Sequence, residues 1–308
     1  MRKIMNPLKE RLLSLRNYPH ILLIFPPLFW AGNVVLGRGV NQVIPPVTLA
    51  FWRWAIALIF LLPFTWKRVK KDWPTVQRRW KIMLILSFLG IACFNTMLYT
   101  AVQTTTAIDS ALIQTSMPAW IVVFSLLLFN ERIRLVQAMG VAICIAGAFI
   151  IIAHGEWSYF RRLSFVTGDI WMLAAVVLYA LYSILLRKRP AIDDLSFITI
   201  TFGLGGLMLL PFYLWEVSVV GGIRLSGVVV GSILYVALLP SILAYLCWNR
   251  GVELVGANQG GLYINLTPVF ASVLAVLLLG ESLHLFHLIG VMMIVGGMVL
   301  YNRMHLRP

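Results

Sequence analysis

Arg53, in the segment Phe-Trp-Arg-Trp-Ala-Ile-Ala-Leu, is a charge inside a long apolar run, roughly 12 Å from the run's nearer end at about 1.5 Å per helical residue. A guanidinium in hydrocarbon is costly unless paired, so a charge kept there is a functional candidate. Its two chemistries are a bidentate grip on a solute carboxylate and the tying of carbonyls freed by a kinked neighbour. Asn95, Tyr99 and Gln103 recur every four residues, which puts them on one face of a helix, and Ser241, Tyr245 and Asn249 repeat the pattern. Polar groups are expensive against lipid, so both stripes are expected to face the bundle interior or a wet cavity. Hydrogen bonding between helices is the alternative use.

Other side chains fit a solute-lining role by type and depth. Trp30 and Asn33 share one apolar run, Gln114, Ser116 and Trp120 another, Tyr179 and Tyr182 a third, and Tyr263 and Asn265 a fourth. An aromatic near a run's end reads as an interfacial belt, but Trp30 and Tyr179 lie too deep for that. Prolines at 26, 27, 63, 118, 211, 240 and 268 fall inside apolar runs, where each removes a backbone hydrogen bond and can kink its helix. Pro118 and Pro268 are the candidate hinges. Thr106-Ala-Ile-Asp109 reads as a capping box at a helix start, which gives Asp109 a local task and no part in transport.

These residues need helices to position them, and composition says in which solvent. Of 308 residues 60% are apolar and 12% charged, with mean hydropathy +0.89. Soluble domains carry about 25% charged residues, so the bilayer is the solvent. Ten apolar runs of spanning length follow, at about 18–37, 45–66, 80–101, 107–128, 134–153, 167–186, 195–216, 228–249, 258–279 and 285–303. The net charge of +14 is spread over the short gaps between them, which excludes a nucleic-acid face and points to anionic headgroups as the electrostatic partner. Twenty of the 25 Lys and Arg fall on one side of the alternating spans and 4 on the other, with Arg53 between. The positive-inside rule then places both termini in the cytoplasm. The expected location is the plasma membrane, as a multi-pass protein of the bacterial inner-membrane kind.

The chain repeats itself. A shift of 150 residues lays Pro118 on Pro268, Glu131 on Glu281, Gly140 on Gly290 and Gly147 on Gly297. Trp30-Ala31 meets Tyr179-Ala180 at 149, and Leu-Pro-Phe 62–64 meets 210–212 at 148. Five spans per copy is an odd number, so the copies enter the membrane from opposite sides. Such inverted repeats allow a midplane site to open to each side in turn, the behaviour of secondary transporters. The expected fold class is an all-α integral membrane protein, with ten transmembrane helices in two inverted five-helix repeats around a central cavity. Residues 1–17 form a cytoplasmic N-terminal segment, 18–153 the first repeat and 167–303 the second.

The stretch Pro118 to Glu131 with Gly140 and Gly147, its second copy Pro268 to Glu281 with Gly290 and Gly297, and Arg53 in the second run resemble the EamA-type transporters of the drug/metabolite transporter superfamily. The resemblance spans essentially the whole chain. It implies a ten-helix exporter whose central cavity is lined by both halves, and it leaves the solute open among amino acids, other metabolites and drugs. After their apolar runs the copies diverge: Asn-Glu-Arg-Ile-Arg in the first against Gly-Glu-Ser-Leu-His in the second, which fits the second loop lying on the outer face.

All eleven carboxylates lie in loops or within a turn or two of a span end, and the five histidines are near-terminal, so no proton relay is visible in the membrane core. Cys93, Cys144 and Cys247 sit in apolar runs without metal or disulfide spacing. No phosphate loop, serine elbow or zinc-protease pair is present, so neither an enzyme nor a cofactor is expected. The expected function is export or facilitated passage of small neutral or zwitterionic metabolites, amino acids and aromatic ones foremost, by a monomer or homodimer. A lipophilic-cation pump and a non-transporting membrane enzyme or scaffold subunit are the alternatives.

Overall fold

The computed structural model describes residues 18–130, 134–156, 165–255 and 263–303. They form ten apolar helices: α1 Pro19–Gly39, α2 Pro46–Arg78, α3 Trp80–Ala101, α4 Ala107–Phe129, α5 Leu135–Ile152, α6 Thr167–Lys188, α7 Asp194–Val220, α8 Gly227–Val255, α9 Leu266–Leu279 and α10 Leu285–Arg303. The first eight are long and apolar enough to cross a membrane, and α9 and α10 are shorter apolar helices. The N-terminal segment, Glu131 and residues 256–262 lie outside the described residues. Phe64, Leu207, Leu277 and Met292 point outward and exposed, a surface stable only against lipid tails. Exposed Trp66, Trp73 and Trp80 at the end rich in Lys and Arg, and Trp171 and Trp215 at the opposite end, mark two headgroup layers.

The helices depart from the expected runs in instructive places. α2 continues to Arg78, well past residue 66, because its Lys and Arg residues are good helix formers and the headgroup region is wet. The fourth run, expected to be continuous, breaks at Thr115 and Ser116, whose amides bond the carbonyls of Leu112 and Ile113 three residues back. Pro118 cannot donate to the carbonyl of Gln114, so the turn tightens there. A turn at Asn265, the counterpart of Thr115, precedes α9 and Pro268 in the same way. Both α3 and α8 carry a π-helical segment, Phe88–Cys93 and Leu239–Leu243, at equivalent positions of the two repeats.

The repeat glycines explain the assembly. α5 packs on α10, and a Cβ added at Gly147 would stand 2.6 Å from the carbonyl oxygen of Gly290, while one at Gly140 would stand 2.6 Å from that of Gly297. Under the 150-residue shift each of these pairs becomes the other, which is the signature of a pseudo-two-fold axis between antiparallel helices. Cys144 lies on that axis and donates to the carbonyl of Ile294, its own counterpart, at 3.1 Å. The self-matched pair α2 and α7 also packs together. α1 packs on α8 and α9 of the second repeat, and its counterpart α6 packs on α3 and α4 of the first, so each repeat lends its leading helix to the other.

Candidate functional site

Arg53 sits where α1, α2, α3 and α8 meet, and it is 4% exposed. Its Nε donates to Ser241 Oγ at 2.7 Å, and its Nη1 donates to Asn33 Oδ1 and Asn95 Oδ1 at 2.7 Å each and to Tyr99 Oη at 2.9 Å. Tyr99 Oη in turn donates to Asn33 Oδ1 at 2.6 Å. Trp54 holds the guanidinium from one side, its ring centroid 4.6 Å from Cζ. Every partner is neutral. The cluster explains why Asn33, Asn95, Tyr99 and Ser241 are polar within apolar runs: α1 and α8 contribute one acceptor each and α3 two to the same cation. Gln103, third in the α3 stripe, turns back on its own helix, to the carbonyl of Tyr99.

An aromatic tier lies next to this cluster, on the side of the basic end. Counted at 1.5 Å per residue from the sparsely charged end, Arg53 is about 10 Å deep and Tyr179 about 18 Å. Trp30 donates its indole N–H to the carbonyl of Pro240 at 3.1 Å and packs against Tyr245 and Trp248, with ring centroids 6.4 and 5.9 Å away. Across the pseudo-axis Tyr179 packs on Phe94 at 4.4 Å and on Tyr182 at 5.0 Å, and its hydroxyl interacts with that of Tyr245. These rings remain partly exposed. The carbonyl of Pro240 belongs to the π-helical segment of α8, and Gly90 in the matching segment of α3 lies against Tyr182, where a Cβ would approach the ring to 2.5 Å. The two π-helical segments therefore shape both walls of the tier, as such bulges often do at functional sites. Gly90 and Pro240, equivalent across the 150-residue shift, were the available signal for them.

Of the other candidates, Gln114 bonds its own helix at the carbonyl of Ser110, Asn249 is exposed, and Tyr263 lies near the basic end, where its hydroxyl meets His20 Nδ1 at 2.7 Å. None of these three joins the cluster.

The sparsely charged end is sealed by carboxylates that sequence position alone made look peripheral. Glu216 of α7 caps α2, accepting from the amides of Val47 and Thr48 at 3.1 and 2.6 Å and from Thr48 Oγ1 at 2.7 Å. Glu281 accepts from the amides of Ala107 and Ile108 at 2.8 and 3.0 Å, which caps α4 from the opposite repeat. Thr106 Oγ1 accepts from the amide of Asp109 as expected of a cap, but Asp109 is 2% exposed and its Oδ1 meets His287 Nε2 at 2.9 Å. The amide of His284 donates to His287 Nδ1 at 2.9 Å, so the imidazole proton is on Nε2 and is donated to Asp109. Asp169 of α6, also buried, accepts from Thr105 Oγ1 and meets His154 Nε2 at 3.4 Å. Asp109 and Thr105 belong to the first repeat, His287 and Asp169 to the second, and His154 follows directly on the first, so both contacts bridge the halves. Glu216→Ala strands three donors and is expected to lower stability by about 2 kcal/mol, read as a lower melting temperature in detergent.

Two intertwined five-helix halves around an aromatic and amide site within the membrane define a multi-pass membrane carrier. The model of the EamA-like transporter family matches residues 17–153 and 166–303, one match per repeat, and the chain belongs to that family. It is 28% identical over 268 residues to the uncharacterized transporter YetK of Bacillus subtilis, covering 86% of this chain and 81% of that one. It is 27% identical over 293 residues to the WAT1-related protein At3g02690, chloroplastic, of Arabidopsis thaliana, covering 91% and 68%. One solved structure shares the fold, with TM-score 0.59 and 18% identity over 95% of this chain and 99% of its own.

Proposed function

We propose that the chain exports, or lets pass down their gradient, small neutral or zwitterionic metabolites, with amino acids including aromatic ones foremost, by alternating access across the plasma membrane. The observation that carries the reading is the tier of Trp30, Tyr179, Tyr182 and Tyr245 between the repeats, walled by counterpart helices and, among the described residues, faced by no carboxylate. Aromatic rings and amides suit a solute that is neutral overall, through apolar contact, hydrogen bonds and cation–π attraction. A lipophilic-cation pump needs a carboxylate facing its site. Asp109 is buried, but it is committed to Thr106 and His287 at the sparsely charged end. The distribution of Lys and Arg orients the carrier with the basic end, and both termini, in the cytoplasm. In that orientation the contacts at the opposite end close the site to the outside, and the export cycle must break them.

The test is flux of labelled leucine, phenylalanine and threonine, beside labelled organic cations, in proteoliposomes with and without a pH gradient. Saturable flux of the amino acids is expected. Saturable flux of the cations alone would overturn the proposal.

A further inference from the structure

We infer that Arg53 is the anion-recognition element of this site, and that the transported solute bears one carboxylate that docks on Nη2 of its guanidinium. The inference rests on the transport reading above and narrows its substrate class.

An arginine is charged at any physiological pH, and burying that charge without a counter-ion is costly even when its N–H groups are hydrogen-bonded. Arg53 is in that situation. Its four protein partners, Ser241, Asn33, Asn95 and Tyr99, supply acceptor oxygens and no negative charge. Among the described residues no carboxylate is within ion-pair distance of it. The guanidinium is held by those partners and by the Trp54 ring, but only in part: among the described residues Nη2 has no hydrogen-bond acceptor. With Nε and Nη1 committed, a carboxylate would meet the two N–H groups of Nη2, a charge-assisted hydrogen bond from one pre-positioned nitrogen beside an unmatched charge. The cluster adjoins the tier: Ser241, which accepts from Nε, directly follows Pro240, whose carbonyl accepts from Trp30, and Asn33 lies three residues from Trp30 on α1. A solute carboxylate on Nη2 therefore leaves the rest of the molecule among those rings.

The single charge sets the valence. Arg38, nearer the sparsely charged end, is occupied by the carbonyls of Val102 and Gln103. Among the described residues Arg53 is the cation beside the tier, and a single charge there matches one carboxylate and would leave a phosphate dianion half neutralised. An ammonium on the same solute would meet aromatic faces, so a zwitterion fits both parts of the site.

The experiment uses the unmodified full chain in proteoliposomes. Efflux of labelled phenylalanine and leucine is challenged with each amino acid, its carboxamide and its decarboxylated amine. The acid is expected to compete about 10- to 100-fold more strongly than the amide or amine, the ratio for a hydrogen bond to a charged group. Arg53→Lys, checked for a monodisperse size-exclusion profile, is expected to reduce that ratio while keeping residual flux, because a lysine keeps the charge and loses the fixed Nη2 donors. Equal competition by acid and amide, with saturable flux, would overturn the carboxylate inference and leave the transport reading intact. Saturable flux of lactate or pyruvate without any amino acid would keep the carboxylate inference and overturn the amino-acid reading. Saturable flux of cations only, or of no solute, would overturn both.

Discussion

Gly297→Leu is expected to destroy the detergent-stable fold, while the same change one residue earlier, Gly296→Leu, leaves it intact. A Cβ at Gly297 would overlap the carbonyl oxygen of Gly140 and stand 2.7 Å from Cys144 Sγ and 2.9 Å from the amide nitrogen of Cys144. Two of those three atoms are backbone, which cannot swing aside as a side chain can. α5 and α10 would have to separate, and that contact is an axis on which the two halves meet. Overpacking a core costs about 1–3 kcal/mol when side chains can give way, and more is expected where backbone must move. Around Gly296 there is nothing within 4 Å, so its new side chain enters lipid. Apolar surface facing lipid carries no penalty, and leucine is a better helix former than glycine. The measurement is the melting temperature of both variants by size exclusion after heating. Gly147→Leu is predicted to behave like Gly297→Leu, because the pseudo-axis exchanges their environments. Equal melting temperatures for Gly296→Leu and Gly297→Leu would contradict the pairing of α5 with α10.

His287→Leu is expected to cost about 3 kcal/mol and to shift the carrier toward opening at the sparsely charged end. The variant leaves the buried Asp109 carboxylate without the imidazole donor, and removing one partner of a buried hydrogen bond to a charged group is costlier than removing both. The double variant His287→Leu with Asp109→Leu should therefore regain part of the loss. The pair joins α4 of one repeat to the start of α10 in the other, so it stabilises the closed end and not the open one. Each 1.4 kcal/mol taken from the closed state raises the open fraction about tenfold. A cysteine at Ile108, buried beside Asp109, reports on this in a background with Cys93, Cys144 and Cys247 replaced by alanine. Faster reaction with a membrane-impermeant maleimide applied from outside is expected in the His287→Leu variant. An unchanged labelling rate would mean that the pair does not latch the halves.

Much of this molecule is local and so can be read along the chain. Hydropathy runs gave the helices, and the odd number per copy gave the inversion, since the length of an apolar run and the spacing of glycines are properties of contiguous sequence. Of the four-residue stripes, Asn249, third in the second, is exposed against expectation, but the structure buries Asn95, Tyr99 and Ser241, since a polar side chain on a lipid face is penalised. Arg53 was conspicuous for the same reason. The breaks were less legible. Pro118 pointed to a kink in α4 but not to the break at Thr115 and Ser116, the π-helical segment of α3 has only Gly90 to mark it, and one extra residue in a turn leaves no period of its own.

What sequence could not decide is which distant groups share a burial site. Asp109, Asp169 and Glu216 lie near span ends, and position alone reads them as wetted, yet each is buried against a partner from the opposite repeat. Their depth depends on how far neighbouring helices and loops rise around them, which only the packed bundle fixes. In the same way, sequence supplied a lone arginine and the tertiary structure supplied its four neutral acceptors, from residues 20 to 188 positions away. Solvent preference is written residue by residue and survives in one dimension. Charge compensation is a matter of distances in three dimensions, and it was set only when the two halves closed on each other.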